Sequence, residues 1–310
     1  MIRVTSSDLA ELPSIVKGYI NHLRLELSLS DNSIAAYEHD VMLFLQYLEV
    51  AGEGVTVKTA THETLENFFA YLFDLHIGAT SQARILSGLK SFYRYLQQEN
   101  EVDRDPTELM TSPSLGRHLP EVLSYDEIQR MLDSIDLSKS NGHRNKAMIE
   151  VMYACGLRVS ELIGLQLSNI YREDGFVRVI GKGQKERLVP IGEPSLKVLF
   201  QYVEGARLHV PVKPKYTDVV FLNNRGTGLT RQSIFLLVKS LAQANGIKKD
   251  ISPHTFRHSF ATHLLEGGAN LLAVQQMLGH ASVSTTEIYT HISDEMLRDT
   301  MVTYHPRFKK

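Results

Sequence analysis

Residues 174–191 read Asp-Gly-Phe-Val-Arg-Val-Ile-Gly-Lys-Gly-Gln-Lys-Glu-Arg-Leu-Val-Pro-Ile, and this stretch decides the fold class. Apolar and polar residues alternate in residues 176–180 and again in residues 187–191, which predicts two β-strands. The Gly-Lys-Gly-Gln sequence of residues 181–184 is a turn that joins the strands as an antiparallel hairpin. Apolar residues elsewhere recur mostly at helical spacing. The sequence therefore predicts a mainly α-helical protein with a small antiparallel β-sheet.

The chain before the hairpin predicts a separate helical domain. Four apolar stripes with helical spacing occupy residues 12–27, 34–48, 65–73 and 85–96. The connections between them are short, which is typical of a helical bundle. Residues 103–120 then contain three prolines and no apolar period, as linkers do. We expect a helical domain over residues 1–112 and a mixed α/β domain over residues 113–310.

Capping residues predict where helices of the second domain begin and end. Ser124, followed three residues later by Glu127, is the pattern of a capping box at a helix start. Residues 146–165 predict one helix with a mild break at Gly156. Gly279 follows an apolar segment and predicts a helix end.

The charges are divided unevenly between the two predicted domains. The 310 residues carry a formal net charge of −2. Residues 1–112 hold eight Lys and Arg against 16 Asp and Glu, whereas residues 113–310 hold 25 against 19. This asymmetry indicates two surfaces with different partners.

The composition excludes several classes of protein. An apolar fraction of 43% is ordinary for a globular chain and excludes a disordered one. Cys155 is the only cysteine, so an internal disulfide framework and a multi-cysteine zinc site are excluded. The apolar runs are shorter than the roughly 18 residues of a membrane-spanning helix, and residues 1–14 lack the apolar core of a signal peptide. We expect a cytoplasmic protein with no membrane partner.

One segment of the acidic half contains only basic charges. Residues 75–98 include no Asp or Glu but carry Arg84, Lys90 and Arg94. These residues could form an ordinary solvated helix face. They could equally form a face that rests on the phosphates of a nucleic acid.

Histidines cluster near the end of the chain. Five of the 13 lie within 38 residues: His254, His258, His263, His280 and His291. The first two are four residues apart, so a helix would place them on one face. The zinc-protease pattern H-E-x-x-H would need Glu where Thr255 stands, and Arg257 beside a metal would repel it. We therefore expect no metal site, and we expect the third and fifth histidines to be structural.

Four further residues suggest anion chemistry only when they are taken together. Arg158 lies among apolar residues, where either a salt bridge to Glu161 or a bound anion would account for it. Arg158 and Arg257 together would be bidentate donors to a phosphate. Lys182 alone has the ordinary explanation of a solvated turn, and Tyr289 alone that of a packed side chain.

The full set resembles the active site of the tyrosine recombinases, the phage integrase family. Its members have the order and spacing of that site: Arg158, Lys182, His254, Arg257, His280 and Tyr289. The flanking strings also match: Gly-Leu-Arg-Val-Ser-Glu from residue 156, Gly-Lys-Gly from 181, His-Thr-Phe-Arg-His from 254 and Leu-Gly-His from 278. The resemblance is closest to the Xer subgroup and extends over nearly the whole chain, through Tyr-His-Pro-Arg at residues 304–307. The departures are a longer N-terminus and Cys155, where a small residue such as Thr is expected.

The resemblance implies which residues bind a DNA phosphate. Arg158 and Arg257 would bind its non-bridging oxygens and stabilise the charge of the transition state. His280 would add a hydrogen bond to the same oxygens. Glu161 would hold Arg158 in position rather than react.

The resemblance also implies a covalent mechanism without a cofactor. Tyr289 would attack the phosphorus and form a 3′-phosphotyrosyl bond, which releases a 5′-hydroxyl. Lys182 would donate a proton to that leaving oxygen. His254 would manage the proton near Tyr289 or orient the phosphate.

The resemblance assigns partners to both domains. The helical domain and the catalytic domain would clamp double-stranded DNA with paired inverted half-sites, with Arg84, Lys90 and Arg94 facing the DNA. Other recombinase protomers would complete a tetramer, in which a paralogous recombinase could take part. A septal DNA translocase would be a further partner.

The tail of the chain is expected to dock on a neighbouring protomer. Residues 293–310 are too few to form a core of their own and contain an apolar set: Met296, Leu297, Met301 and Val302. We expect this set to lack a partner in its own chain, and the family docks such a tail in trans.

The function implied is site-specific DNA recombination, with resolution of chromosome dimers during cell division as the expected role. A mobile-element integrase and a type IB topoisomerase would use the same chemistry and stay open as alternatives. A non-catalytic DNA-binding protein and a metallohydrolase are the alternatives of a different class.

Overall fold

The computed structural model describes residues 13–51, 54–113, 121–181, 184–279 and 293–308. The chain divides into two compact units, Met1–His118 and Leu119–Lys310. The boundary that we expect near residue 112 lies six residues before this division. Over the described residues, no helix is long and apolar enough to cross a membrane.

The first unit contains a bundle of four helices, as the apolar stripes predict. The helices are α1 (Ser14–Leu25), α2 (Asp31–Ala51), α3 (His62–Asp74) and α4 (Ala79–Gln98). Their apolar faces bury a common core in which Phe44 meets the rings of Phe68 and Tyr93 at centroid distances of 5.1 and 6.3 Å. Helices α1 and α4 close the bundle through Tyr19 and Phe92, which pack edge to face. Aromatic burial of this kind is the main stabilising term of a small bundle.

The second unit combines helices with one small sheet. Its helices are α5 (Tyr125–Asp133), α6 (Gly142–Ala154), α7 (Val159–Ile163), α8 (Glu193–Val203), α9 (Arg231–Ala244), α10 (Pro253–Gly267), α11 (Leu271–Leu278) and α12 (Asp294–Tyr304). Short 3-10 turns occupy Leu167–Asn169, Ala206–His209 and Pro214–Tyr216. The capping box that Ser124 and Glu127 predict is present at the start of α5. The mainly helical fold with a small antiparallel sheet is confirmed.

The sheet has three antiparallel strands. They are β1 (Ile170–Tyr171), β2 (Phe176–Ile180) and β3 (Glu186–Pro190), in the order β1-β2-β3. Strand β2 is as predicted, β3 begins one residue earlier than expected, and β1 has too few residues to show an alternating pattern. Val177 pairs with Val189, and Val179 pairs with Arg187. Because directly opposed residues share one face of the sheet, Arg187 lies on the same side as these buried valines.

Gly156 ends one helix and allows another to start, which corrects the expectation of a single helix over residues 146–165. Helix α6 ends at Ala154, and α7 begins at Val159. Gly156 has φ +57°, and a Cβ at this position would lie 2.5 Å from the ring of Phe260. A left-handed residue that also permits such close packing stops the helix rather than bending it. The break places Arg158 at the N-cap of α7.

The C-terminal helix α12 packs within its own unit against α10, α11 and β3. Leu297 and Met301, four residues apart on one face, are 1% and 0% exposed, whereas Met296 and Val302 are 45% and 50% exposed. The expectation that this apolar set has no partner in its own chain is therefore wrong for Leu297 and Met301. The groove between these three elements accepts the face that both residues share, since residues at i and i+4 lie on the same side of a helix.

Candidate active site

One carboxylate organises the site. Glu161 is the third residue of α7, and its side chain is 2% exposed. Its Oε2 accepts the backbone N–H of Arg158 at 2.8 Å, and its Oε1 accepts Nη1 of the same residue at 2.9 Å. The alternative that Glu161 forms a salt bridge with Arg158 is thereby confirmed. This pair is a capping arrangement that fixes Arg158 where the new helix begins.

A second arginine binds the same carboxylate from the sheet. Nη1 and Nη2 of Arg187 donate to the two oxygens of Glu161 at 2.9 and 2.8 Å, which is the bidentate geometry. Burial alone would raise the pKa of Glu161, but the hydrogen bonds and charge of Arg187, with those of Arg158, outweigh it and lower the pKa below its usual value. Glu161 is therefore ionised at neutral pH.

Arg257 completes a cluster of three guanidinium groups. Its Nη1 lies 3.9 Å from Oε2 of Glu161 and donates to the carbonyl of Gly156 at 2.9 Å. Burial, and then the charge of Arg158, lowers the pKa of Arg257 to about 10, so the group stays cationic at neutral pH. Three positive charges around one carboxylate leave this cluster with an excess of two. Such an excess, with Arg158 partly exposed, is suited to an anion.

The arginines also bind the end of helix α11. The carbonyl of Met277 accepts Nε of Arg187 at 2.6 Å, and the carbonyl of Leu278 accepts both Arg158 and Arg257. Cations are stabilised at a helix C-terminus, where the last carbonyls lack partners within the helix. Gly279 ends α11 in the left-handed conformation, as predicted, with φ +64°. Nη2 of Arg158 also donates to the carbonyl of Gly279 at 3.4 Å, so the cluster is attached to the residue that precedes His280 in sequence.

The structure brings together some of the predicted site residues. Arg158, Glu161 and Arg257 are in one cluster, and His254 lies one helical turn before Arg257 on α10 with its ring exposed. Three predicted residues lie outside the described residues: Lys182, His280 and Tyr289. Their roles stay predictions.

Arg187 is a site residue that the sequence analysis missed. A signal for it exists in the sequence, because residues 187, 189 and 191 of the predicted strand share one face, and the other two are valine and isoleucine. An arginine at such a position requires an anionic partner inside the protein. The identity of that partner, Glu161, is set by tertiary packing and is not visible in the sequence.

The histidines that the structure describes do not form a metal-binding site. His263 is structural as expected: its Nδ1 lies 2.8 Å from the hydroxyl of Tyr153, and the two rings pack edge to face. His291 lies outside the described residues. Within the described ranges, no group of three or more His, Cys, Asp or Glu side chains is placed to hold a metal ion.

The basic residues of α4 differ in how firmly they are held. Nη1 of Arg84 lies 2.7 Å from the carboxylate of Asp40, which is fully buried in the bundle. Lys90 donates to the carbonyl of Met110 at 2.8 Å. Arg94 is exposed and has no ion-pair partner among the residues described. Whether these three residues bind DNA stays a prediction.

Family comparisons agree with the two-part organisation. Residues 121–296 match the model of the phage integrase family, and residues 16–100 match that of the phage integrase N-terminal SAM-like domain. Tyrosine recombinase XerD of Listeria monocytogenes serotype 4b is 42% identical over 294 residues, which cover 94% of this chain and 99% of the relative. Tyrosine recombinase XerD of Staphylococcus aureus strain N315 is 41% identical over 296 residues, covering 96% and 100%.

Solved structures share the fold at lower identity. XerH site-specific recombinase, bound to a palindromic difH substrate, superposes with a TM-score of 0.72 at 24% identity, covering 95% of this chain and 86% of that one. The Tn1549 transposon integrase in complex with circular intermediate DNA gives a TM-score of 0.70 at 18% identity, covering 93% and 98%. The family matches and the XerD relatives together show that the chain belongs to the phage integrase family and is a XerD-like tyrosine site-specific recombinase.

Proposed function

We propose that Arg158 and Arg257, two arginines of the cluster around Glu161, bind the scissile phosphate of DNA and stabilise its transition state. The observation that carries this proposal is the excess of two positive charges on Arg158, Arg187 and Arg257. A phosphodiester has one negative charge, and the pentavalent transition state develops a second. Arg158 is 35% exposed on its side chain and is therefore accessible to a phosphate, whereas Glu161 is not. Donors fixed before the reaction stabilise developing charge without reorganising.

The covalent step uses residues of the matched motif. Tyr289 attacks the phosphorus and loses its proton, and the bond to the 5′-oxygen breaks. Lys182 donates a proton to that oxygen, and His280 donates a hydrogen bond to a non-bridging oxygen. His254, one turn before Arg257, orients the phosphate or manages the proton of Tyr289. Reversal with a new 5′-hydroxyl joins a different strand, and no cofactor takes part.

DNA binding by the helical domain is supported by the DNA complexes of the structural neighbours. We propose that residues 1–112 and 113–310 clamp a duplex with paired inverted half-sites, and that Arg84, Lys90 and Arg94 contact its phosphates. The acidic character of the rest of the first domain restricts this contact to α4. Binding is then strongly dependent on salt.

The cellular role that we propose is resolution of chromosome dimers at a specific site during cell division, in the cytoplasm. The near-full-length similarity to XerD proteins supports this role over that of a mobile-element integrase. Four protomers act on two DNA sites, with a paralogous recombinase and a septal DNA translocase as further partners. A type IB topoisomerase would not need such an assembly.

The tail would exchange between protomers in this assembly. In the single chain, α12 fills a groove between α10, α11 and β3. A helix that fills its own groove can occupy the same groove of a neighbour through the same contacts, as in domain swapping. We propose that α12 docks in this way when protomers assemble on DNA.

The test is to trap and map the covalent adduct on genomic DNA fragments. The wild-type protein should form adducts at one site with two inverted half-sites, and Tyr289→Phe should bind the same DNA without an adduct. An adduct that persists in Tyr289→Phe would place the nucleophile elsewhere. Adducts at the ends of a mobile element would identify an integrase, and adducts at many unpaired sites would identify a topoisomerase.

A further inference from the structure

Arg187, on strand β3, contacts two other segments of the chain that contribute to the active-site cluster. From strand β3 it binds both oxygens of Glu161 on α7, at 2.9 and 2.8 Å. Its third nitrogen, Nε, donates to the carbonyl of Met277 on α11 at 2.6 Å. One side chain thus links the sheet, the N-terminus of α7 and the C-terminus of α11.

The same side chain passes close to two glycines that precede predicted catalytic residues. A Cβ at Gly279 would lie 3.1 Å from Cδ of Arg187 and 3.3 Å from Nη1. A Cβ at Gly181 would lie 3.8 Å from Nη1 of Arg187 and from Oε1 of Glu161. Gly181 directly precedes Lys182, and Gly279 directly precedes His280. Arg187 therefore lies against the backbone from which both residues continue.

We propose that Arg187 is a positioning residue for DNA strand cleavage. It fixes the turn that leads to Lys182 and the helix end that leads to His280 in a constant position relative to Arg158. This role rests on the proposed functions of Lys182 and His280. All three guanidinium nitrogens of Arg187 donate to Glu161 and Met277, so Arg187 acts through these neighbours rather than by touching the DNA.

The chemistry of arginine suits this role. A guanidinium group is planar and carries donors on three nitrogens, so it can bind a carboxylate with two and a carbonyl with the third. A lysine would retain the positive charge but has a single nitrogen, and it could not hold all three acceptors in this fixed geometry. Arg158 already binds Glu161, so neutralising that carboxylate does not by itself explain Arg187.

Cleavage kinetics separate positioning from a purely structural role. The probe is a nicked synthetic duplex whose sequence comes from adduct mapping. The atom that joins the scissile phosphorus to the 5′-carbon is oxygen in one version and sulfur in the other. Sulfur leaves without protonation, so cleavage of the sulfur substrate does not need the proton that Lys182 donates. Arg187→Met and Arg187→Lys should bind the duplex like wild type but cleave the oxygen substrate about 100-fold more slowly, and sulfur should restore part of the loss.

Arg172→Met is the matched control for these variants. Arg172 lies in the loop after β1 and forms an ion pair of 2.8 Å with the exposed Glu204. Its substitution should leave cleavage of both substrates unchanged. Equal losses on the oxygen and sulfur substrates in the Arg187 variants would overturn the proposal, as would wild-type rates on both.

Hydrogen exchange of the free protein tests the same proposal without activity. The N–H of Gly181 donates to the carbonyl of Lys185 at 2.8 Å, and that of Gly279 donates to Gln276 at 3.0 Å. In Arg187→Lys, which keeps the charge beside Glu161, both amides should exchange faster while α6 remains protected. Unchanged exchange at both glycines would overturn the positioning role. A wild-type protein that forms no adduct would instead count against the proposed function, and the exchange result would still decide this inference.

Discussion

Arg307 and Glu150 form an ion pair in the interior of the C-terminal unit. Nη2 of Arg307 lies 2.6 Å from Oε2 of Glu150, whose side chain is 2% exposed. The other oxygen of Glu150 accepts the hydroxyl of Ser195 at 2.6 Å, and Nη1 of Arg307 donates to Gln129 at 2.8 Å. The segment that follows α12 is thus attached to α5 and α6, and the buried Glu150 in turn binds the buried Ser195 of α8.

Arg307→Met should strongly destabilise this unit. The substitution leaves the Glu150 carboxylate buried without its charge partner, which typically costs about 3–5 kcal/mol. Urea unfolding, followed by circular dichroism, should show the loss as a lower midpoint. The double variant Glu150→Met with Arg307→Met should recover much of it, because no unpaired charge remains.

The control is again Arg172→Met, which breaks an exposed ion pair. It should lower the free energy of unfolding by no more than about 1 kcal/mol. If Arg307→Met were as mild as Arg172→Met, the tail would not be anchored by this pair.

His305 should make stability depend on pH. Its ring is fully buried beside Tyr153 and Phe260, and Nδ1 accepts the backbone N–H of Arg307 at 3.1 Å. Burial, and then the charges of His263 and Arg307, lowers the pKa of His305 to about 3. In the unfolded chain the pKa of histidine is about 6.5.

The sign of the effect follows from these two pKa values. Between pH 6.5 and 3 the unfolded chain binds a proton that the folded chain excludes, so folding weakens as pH falls, by up to about 1.4 kcal/mol per pH unit. Above pH 6.5 His305 contributes no pH dependence. His305→Asn keeps an acceptor for the Arg307 N–H, and it should flatten the curve of unfolding midpoint against pH. Parallel curves for the two proteins would show that His305 is not held neutral.

Local signals in the sequence predict the parts of the fold that depend on neighbouring residues. The capping box of Ser124 and Glu127 and the helix end at Gly279 both occur as predicted, because each is satisfied within one or two turns of chain. The sequence predicts a break at Gly156, but it does not predict that one helix ends there and a new helix begins. That depends on Phe260, about a hundred residues away, which packs where a Cβ would be.

Long-range contacts account for what the sequence analysis missed. Arg187 stands in an alternating pattern that indicates a buried side chain, but its partner Glu161 comes from a different helix. Likewise, the apolar residues of α12 show that the helix needs a partner without showing which one. The groove that receives Leu297 is assembled from α10, α11 and β3, and no pattern within α12 identifies it.

Strand cleavage should not require a metal ion. Arginine side chains supply the positive charge that a metal would otherwise provide at a phosphate, and the arginine cluster has an excess of two charges for this purpose. Adduct formation should therefore proceed at the same rate in excess chelator. Loss of the adduct in chelator, with recovery on adding zinc or magnesium, would contradict the proposed mechanism.

The basic residues of α4 should differ in what they contribute to DNA binding. Arg94 is exposed and can reach a phosphate without breaking an ion pair, so Arg94→Ala should weaken binding to duplex DNA of arbitrary sequence and leave stability unchanged. Each phosphate contact that is lost reduces the slope of log affinity against log salt by about 1. Arg84→Ala should lower the slope and the stability together, because it also leaves the buried Asp40 carboxylate without its partner.

Fluorescence anisotropy over a series of salt concentrations measures the slopes, and thermal unfolding measures stability. Arg24→Ala is the matched control, since Arg24 is an exposed arginine on α1 of the same unit and lies outside the proposed DNA face. Its slope should equal that of the wild type. If Arg94→Ala has the same slope as Arg24→Ala, then α4 does not contact the DNA backbone through Arg94. The acid-free segment of residues 75–98 would in that case be an ordinary solvated helix face.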